Sequence, residues 1–210
     1  MSVKVGIVDY RVSNLTSVLQ AFRHLGAEAE VVREPAQLAA FALLVLPGVG
    51  SFATGMANLH AAGLVEPIRA WAAAGKPLIG LCLGMQLLAE EGAEFGPTPG
   101  LGLMPGRVVR MTCADKSLRL PHVGWNEVDQ CRESRLLAGL GAAPAFYFVH
   151  SYCYDDPGAD HVTGTCEYGG PQVAVVERGN VFGAQFHPEK SQRCGLALLA
   201  NFVAMAAQDA

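Results

Sequence analysis

The segment Pro77-Leu78-Ile79-Gly80-Leu81-Cys82-Leu83-Gly84-Met85-Gln86 decides how the rest of the chain is read. An apolar run suited to a buried strand ends in Gly-x-Cys-x-Gly, and Met85-Gln86-Leu87-Leu88-Ala89 opens a helical pattern. This is the arrangement of a nucleophile elbow, with sulfur in place of the serine oxygen. Glycines at 80 and 84 permit a tight strand-to-helix turn that holds the side chain of Cys82 clear of the sheet. The helix that follows points its N-terminus at the sulfur, which favours thiolate and stabilises a nearby oxyanion. A cysteine in an apolar segment is more often inert packing. A nucleophile at Cys82 needs a base, and Gln185-Phe186-His187-Pro188-Glu189 contains one. His187 precedes a proline, which biases it to an extended conformation. Residues i and i+2 of an extended segment share a face, so Glu189 can support the imidazole, set its tautomer and stabilise the imidazolium.

The composition fits an enzyme. The 210 residues suffice for one compact α/β domain over 1–210. With 51% hydrophobic and 16% charged residues, the chain is globular and not disordered. A net charge of -4 argues against nucleic-acid binding through a basic surface. The start, Met1 to Asp9, has too short an apolar stretch for a signal peptide. No run approaches the ~18 apolar residues of a membrane span. The cysteines at 82, 113, 131, 153, 166 and 194 form no Cys-x-x-Cys and no zinc-like cluster with histidine. A reduced, cytoplasmic protein with a catalytic cysteine is expected, with no metal, no cofactor and no membrane or nucleic-acid partner.

Outward from the elbow, Val3–Val8, Ala29–Val32, Ala42–Leu46 and Leu78–Leu81 read as buried strands. Helices fall between them: one capped by Ser13 or Asn14 and running to Leu25 before Gly26, one capped by Ser51, and one from Leu64 to Ala74 stopped by Gly75. This alternation predicts a mainly parallel sheet covered on both faces, a three-layer α/β domain of flavodoxin-like type. The second half reads as short strands at Val108–Met111, Asn126–Val128, Ala145–Val149, Val162–Cys166, Val173–Val176 and Val181–Phe186. Few helices separate them, which suggests antiparallel additions. A helix from Ser191 to Ala207 closes the chain.

In an open α/β sheet, sites form at the carboxyl ends of strands, where Cys82, His187 and the loop Pro47-Gly48-Val49-Gly50 all stand. The backbone N–H groups of that loop, with the N–H of Leu83, can form an oxyanion hole. An ordinary turn between strand and helix is an equal reading of the loop alone. It has no Walker lysine and no Gly-x-Gly-x-x-Gly, so phosphate binding is not indicated.

These motifs together resemble those of the class I, triad-type glutamine amidotransferases. Gly80-Leu-Cys-Leu-Gly-Met-Gln86 and Phe186-His-Pro-Glu189 match the nucleophile and base motifs of that family. A closer resemblance, from Val5 to Phe202, is to the glutaminase subunits of imidazole glycerol phosphate synthases of histidine biosynthesis. It rests on Leu46-Pro-Gly-Val-Gly-Ser-Phe52, Pro121-His-Val-Gly-Trp-Asn126, Tyr147-Phe-Val-His-Ser-Tyr152 and Gln185-Phe-His-Pro-Glu-Lys-Ser-Gln192.

The resemblance implies hydrolysis of glutamine by a Cys82–His187–Glu189 triad, with Gly48, Val49 and Leu83 as oxyanion donors. It also implies that Gly50, Gln86, Glu94, His150, Ser151 and Tyr152 surround the glutamine. Ammonia would pass to a (β/α)8-barrel cyclase subunit in a heterodimer, which makes imidazole glycerol phosphate and an aminoimidazole carboxamide ribotide. The loop Asp9–Leu15 with Asn14, and Trp125, Asn126, Tyr147 and Lys190, would face that subunit. From the residues alone, Gln86 could be a helix-surface amide, Glu94 a solvated loop acid, and Trp125 and Tyr147 core aromatics. The first loop of such proteins commonly reads Asp-Tyr-Gly-x-Gly-Asn-Leu. Here Arg11 and Ser13 stand in place of its glycines, which restricts φ > 0 conformations in the interface loop.

Three alternatives remain at this stage. A glutaminase subunit of another synthase, making pyridoxal phosphate, anthranilate or aminodeoxychorismate, would share the chemistry. A peptidase or chaperone of the cysteine-elbow superfamily often has histidine directly after the nucleophile, where Leu83 stands here. A catalytically dead binding subunit is disfavoured by the intact Cys82, His187 and Glu189.

Overall fold

The computed structural model describes residues 2–12 and 14–207. Among the described residues, eight strands form the central sheet, and six more form two smaller sheets beside it. The first half alternates strand and helix: β1 (Lys4–Val8), α1 (Leu15–His24), β2 (Glu28–Val32), β3 (Leu43–Gly48), α2 (Phe52–Ala61), α3 (Val65–Ala73), β4 (Leu78–Cys82) and α4 (Leu83–Leu87). The second half holds β5 (Glu91–Gly92), β6 (Thr98–Pro99), β7 (Arg107–Arg110), β8 (His122–Glu127), β9 (Asp129–Gln130), β10 (Ala145–His150), β11 (Tyr152–Tyr154), β12 (Val162–Glu167), β13 (Pro171–Arg178), β14 (Val181–Ala184) and α5 (Gln192–Ala204).

The main sheet has the order β2-β1-β3-β4-β14-β13-β12-β9. Its first five strands pair in parallel, and β13, β12 and β9 extend it antiparallel. The late strand β14, expected among the antiparallel additions, instead pairs in parallel with β4, Gly183 opposite Gly80. That pairing carries His187, a few residues beyond β14, to the same sheet end as Cys82. Alternation along the strands builds two cores. Leu44, Leu46 and Leu78 pack with Met56, Leu59, Ile68 and Trp71 of α2 and α3. Leu43, Val45 and Ile79 pack with Phe22 of α1 and with Leu198 and Phe202 of α5. Helices thus cover both faces, the expected three layers.

Other expectations shift. Pro47 and Gly48 end β3 rather than belonging to a loop, because Pro47 and Gly48 continue the ladder against Leu81 and Cys82. Strand β8 starts at His122, four residues before the expected Asn126. Ser51 caps α2 by accepting from Thr54 N. Asn14 makes no side-chain cap on α1; its amide nitrogen lies 3.4 Å from Ser17 Oγ instead. Ser13 lies outside the described residues. Arg11 takes φ 69 despite its side chain, and its N–H donates to Asp9 Oδ1 at 3.1 Å, which offsets part of the strain. No helix among the described residues is long and apolar enough to cross a membrane.

Candidate active site

Cys82 ends β4 with φ 53 and ψ -110, a conformation that non-glycine residues rarely adopt. Close packing enforces it. A Cβ on Gly80 would stand 2.5 Å from the Gly84 carbonyl oxygen, and one on Gly84 only 1.7 Å from the Leu46 carbonyl oxygen. The turn therefore fits only with glycine at both positions. Helix α4 is five residues long and ends before the expected Leu88-Ala89. So short a helix carries little macrodipole. What it offers is the N–H of Leu83 at its first position, which has no intrahelical acceptor. The Cys82 thiol lies 3.9 Å from the Val149 carbonyl oxygen, and the Gln185 amide nitrogen lies 4.0 Å from the sulfur.

His187 is buried, and its Nδ1 lies 2.8 Å from Glu189 Oε1. Glu189 reaches the ring through the 3-10 turn Pro188–Lys190, not through extended alternation. Ser191, which the sequence did not mark, clamps this segment. Its hydroxyl donates to the His187 carbonyl at 2.6 Å and accepts from Tyr147 N at 3.0 Å. Burial works against a charged His187, but hydrogen bonds and charge attraction from Cys82 and Glu189 outweigh it and raise the ring to about 9. With Nδ1 committed to Glu189, Nε2 is the nitrogen left for Cys82.

A cavity of about 340 Å³ opens over the sulfur, lined by Cys82, Gln86, Glu94, His150, Tyr152 and His187 among others. Val49, Gly50, Leu83, Ser151 and Lys190 line it too, so every expected substrate residue converges there. Pro121 and Val149, which lie within the quoted motifs but were given no site role, complete the wall. Gln86 is buried rather than a surface amide, its nitrogen 2.9 Å from the Tyr152 carbonyl oxygen and 3.1 Å from Gln185 Oε1. Glu94 is not a solvated acid: Oε2 accepts from Phe52 N at the start of α2.

The oxyanion loop departs from expectation at Val49. Its N–H donates to the Val12 carbonyl at 2.6 Å, away from any oxyanion. The φ 69 turn at Arg11 is next to Val12, whose carbonyl takes this N–H. Gly48 stands beside Cys82 in the ladder, with the Tyr10 hydroxyl where a Cβ would be. Among the described residues no group of three or more His, Cys, Asp or Glu could hold a metal ion.

Of the residues expected to face a partner, Trp125 is half exposed and meets Tyr147 edge-on at 6.2 Å, so Trp125 is no core aromatic. These two are cross-strand neighbours on β8 and β10, as are Val123 and Val149, both exposed. Lys190 is exposed at the rim of the cavity. Asn14 lines a second, much smaller cavity beside Glu189. Asn126 is turned inward: its amide donates to the Glu167 carbonyl at 2.8 Å.

Comparison with known proteins agrees with this geometry. A family model for glutamine amidotransferase class-I matches residues 6–206. The imidazole glycerol phosphate synthase subunit HisH of Desulfitobacterium hafniense (strain DSM 10664 / DCB-2) is 48% identical over 206 residues, covering 98% of this chain and 96% of that protein. The subunit of the same name from Symbiobacterium thermophilum is 49% identical over 199 residues, covering 95% and 92%. A crystal structure of a glutamine amidotransferase superposes with TM-score 0.75 at 22% identity, covering 97% of this chain and 98% of that one. PurLQS from Thermotoga maritima gives TM-score 0.76 at 20% identity, covering 98% and 99%. At such identities these two structures speak for the shared fold. Near-full-length matches at almost half identity reach further, and the chain belongs to the class-I glutamine amidotransferase family, in the branch of the HisH subunits of imidazole glycerol phosphate synthase.

Proposed function

We propose that this chain is the glutaminase subunit of an imidazole glycerol phosphate synthase, working through Cys82, His187 and Glu189. The observation that carries the proposal is the meeting, in one cavity, of a strained elbow cysteine with a buried histidine held by a carboxylate. The Cys82 sulfur, as thiolate, adds to the side-chain amide carbon of glutamine. His187 donates its proton to the departing nitrogen, releasing ammonia and leaving a glutamyl thioester. The ring, now neutral, takes a proton from water, whose oxygen attacks the thioester. Glutamate leaves and the sulfur is restored. Glu189 holds the tautomer and stabilises the imidazolium.

In this reading Glu94 meets the α-ammonium of glutamine, and Ser151 and Tyr152 its α-carboxylate; all three line the cavity. Leu83 N–H is ready for the oxyanion. Val49 can add a second donor only after the 48–49 peptide turns over and releases Val12. Gly48, at one end of that peptide, has no side chain to restrict its ψ. The free subunit is therefore a slow glutaminase, and a partner or its ligand that turns the peptide is the activator. The exposed Val123, Trp125 and Val149, with partly buried Tyr147 beside Trp125, suit an apolar docking face for the barrel-type cyclase subunit, with Lys190 as its charged rim.

Glutamate release from glutamine tests the reading: chain alone, chain with the cyclase subunit of the same source, and both with the cyclase's nucleotide substrate. Strong stimulation in the full mixture is expected. Cys82→Ala should abolish glutamine-dependent synthesis and leave ammonia-dependent synthesis by the complex. No stimulation despite complex formation, or loss of both activities in an intact complex, overturns the assignment.

A further inference from the structure

A buried polar chain backs the cavity wall. Asn126 Nδ2 lies 3.4 Å from His122 Nε2, His122 Nδ1 lies 3.2 Å from His150 Nε2, and His150 Nδ1 lies 3.0 Å from the Tyr152 carbonyl oxygen. The chemistry of the two ends fixes the protons between them. A carbonyl only accepts, so His150 Nδ1 carries the hydrogen. In a neutral ring Nε2 then accepts, so His122 Nδ1 donates to it, and His122 Nε2 accepts from the amide of Asn126. The amide is oriented independently: Glu127 N donates to Asn126 Oδ1 at 2.9 Å, and Asn126 Nδ2 donates to the Glu167 carbonyl. Every bond runs in one direction. Reversing either ring would set two donors or two acceptors face to face in a buried site.

The surroundings keep both rings uncharged. His122 is stacked between Phe148 at 4.8 Å and Tyr168 at 3.9 Å. Burial pushes His122 down to about 4. Burial does the same to His150, opposed by the Tyr152 carbonyl and reinforced by the charges of His122 and His187. At its inner end the chain meets the catalytic cavity, since the Tyr152 carbonyl also accepts from Gln86. Gln86 touches Gln185, whose amide reaches the Cys82 sulfur. At its outer end the chain starts on β8, next to exposed Trp125.

We propose that His122 and His150 are positioning residues: a one-way hydrogen-bond chain from Asn126 through both rings holds the Tyr152 carbonyl and Gln86 in the glutamine pocket and ties that wall to the exposed β8–β10 face. The pocket's role rests on the glutaminase reading above, whereas the chain is a property of the free protein. Through it, a displacement of Asn126 by anything docked on β8 is transmitted to the wall that faces the substrate.

Two measurements test this. Imidazole 15N spectroscopy of the wild-type chain at pH 7 should show His122 and His150 neutral, each with its proton on Nδ1. An Nε2–H tautomer or an imidazolium at either ring overturns the proposal without any variant. In the complex, His122→Phe keeps the aromatic stack and cuts both bonds, while His122→Asn puts an amide N–H where Nδ1 stood and keeps the bond to His150. H122F should raise KM for glutamine about five-fold or more, the equivalent of one lost hydrogen bond, with ammonia-dependent synthesis unchanged. H122N should return KM toward wild type. Wild-type KM in a folded H122F, or equal loss in both variants, overturns the proposal. If the wild-type complex with its nucleotide substrate releases no glutamate, the glutaminase reading falls and the tautomers alone decide for or against the hydrogen-bond chain.

Discussion

Replacing Gly84 with alanine should unseat the nucleophile. The new Cβ would lie 1.7 Å from the Leu46 carbonyl oxygen and 2.7 Å from the Leu46 carbonyl carbon, where ordinary contact begins at 3.4 Å. Neither neighbour is the flexible end of a side chain: both belong to the backbone of β3, and Leu46 is fully buried. Relief therefore requires α4 to move away from the sheet by more than an ångström. Overpacking a core by one methylene costs about 1–3 kcal/mol, and a backbone obstacle puts this case near 3 kcal/mol. The same movement carries Leu83 N–H and Cys82, and a misplacement of about 1 Å at a reacting group costs on the order of 10²-fold in rate. Urea unfolding and glutamate release in the complex would read both effects. Gly50→Ala is the comparison. It meets nothing within 4 Å but sits at φ 101, so it should cost only the backbone strain of about 1–2 kcal/mol. A Gly84→Ala protein with wild-type unfolding midpoint and wild-type rate would refute the packing argument, as would Gly50→Ala proving the more destabilising of the two.

Three further outcomes follow from the titrating groups and the strained loop. His187 is raised from 6.5 to about 9, so its contribution to stability is full below pH 6.5 and lost as the pH climbs through 9. That loss amounts to at most about 3 kcal/mol, and Glu189→Gln should flatten it in urea unfolding between pH 6 and 9.5; parallel curves would contradict the assignment. His122 and His150 are lowered to about 4, so stability is intact above pH 6.5 and falls between pH 6.5 and 4 by up to about 3 kcal/mol for each ring. His122→Phe should remove roughly half of that acid sensitivity, and an unchanged pH–stability curve would count against buried neutral rings. Arg11→Gly should raise the melting temperature by relieving φ 69, a gain of about 1 kcal/mol, whereas a lowered melting temperature would show that the turn is unstrained.

Much of the site was legible because its signals are local. The elbow needs two glycines around one cysteine, and the apolar periods of β1 to β4 with their intervening helices imply parallel pairing. Glu189 was legible as the partner of His187, although the linking conformation is a 3-10 turn. What escaped depends on contacts between distant segments. Ser191 looks like an ordinary helix cap, yet its hydroxyl bonds Tyr147 N, 44 residues away. Nothing near Val181–Ala184 shows that this strand lies parallel to β4, because its partner is set by the sheet as a whole.

By itself the sequence determined the three-layer architecture and the family, and it singled out Cys82, His187 and Glu189 as the candidate triad, since each is written in residues a few positions apart or in a regular period. The tertiary structure alone decided which way the Val49 N–H points, that Gln86 faces inward, and that His122 and His150 are linked in one direction. The pairings rest on hydrogen bonds between residues 28 to 99 positions apart and on a 2.6 Å bond from Val49 to Val12, and the direction through the two rings is then set at its ends by Asn126 and the Tyr152 carbonyl. A polar group buried in a dense core must take whichever partner the fold brings within reach, and no local pattern encodes that partner.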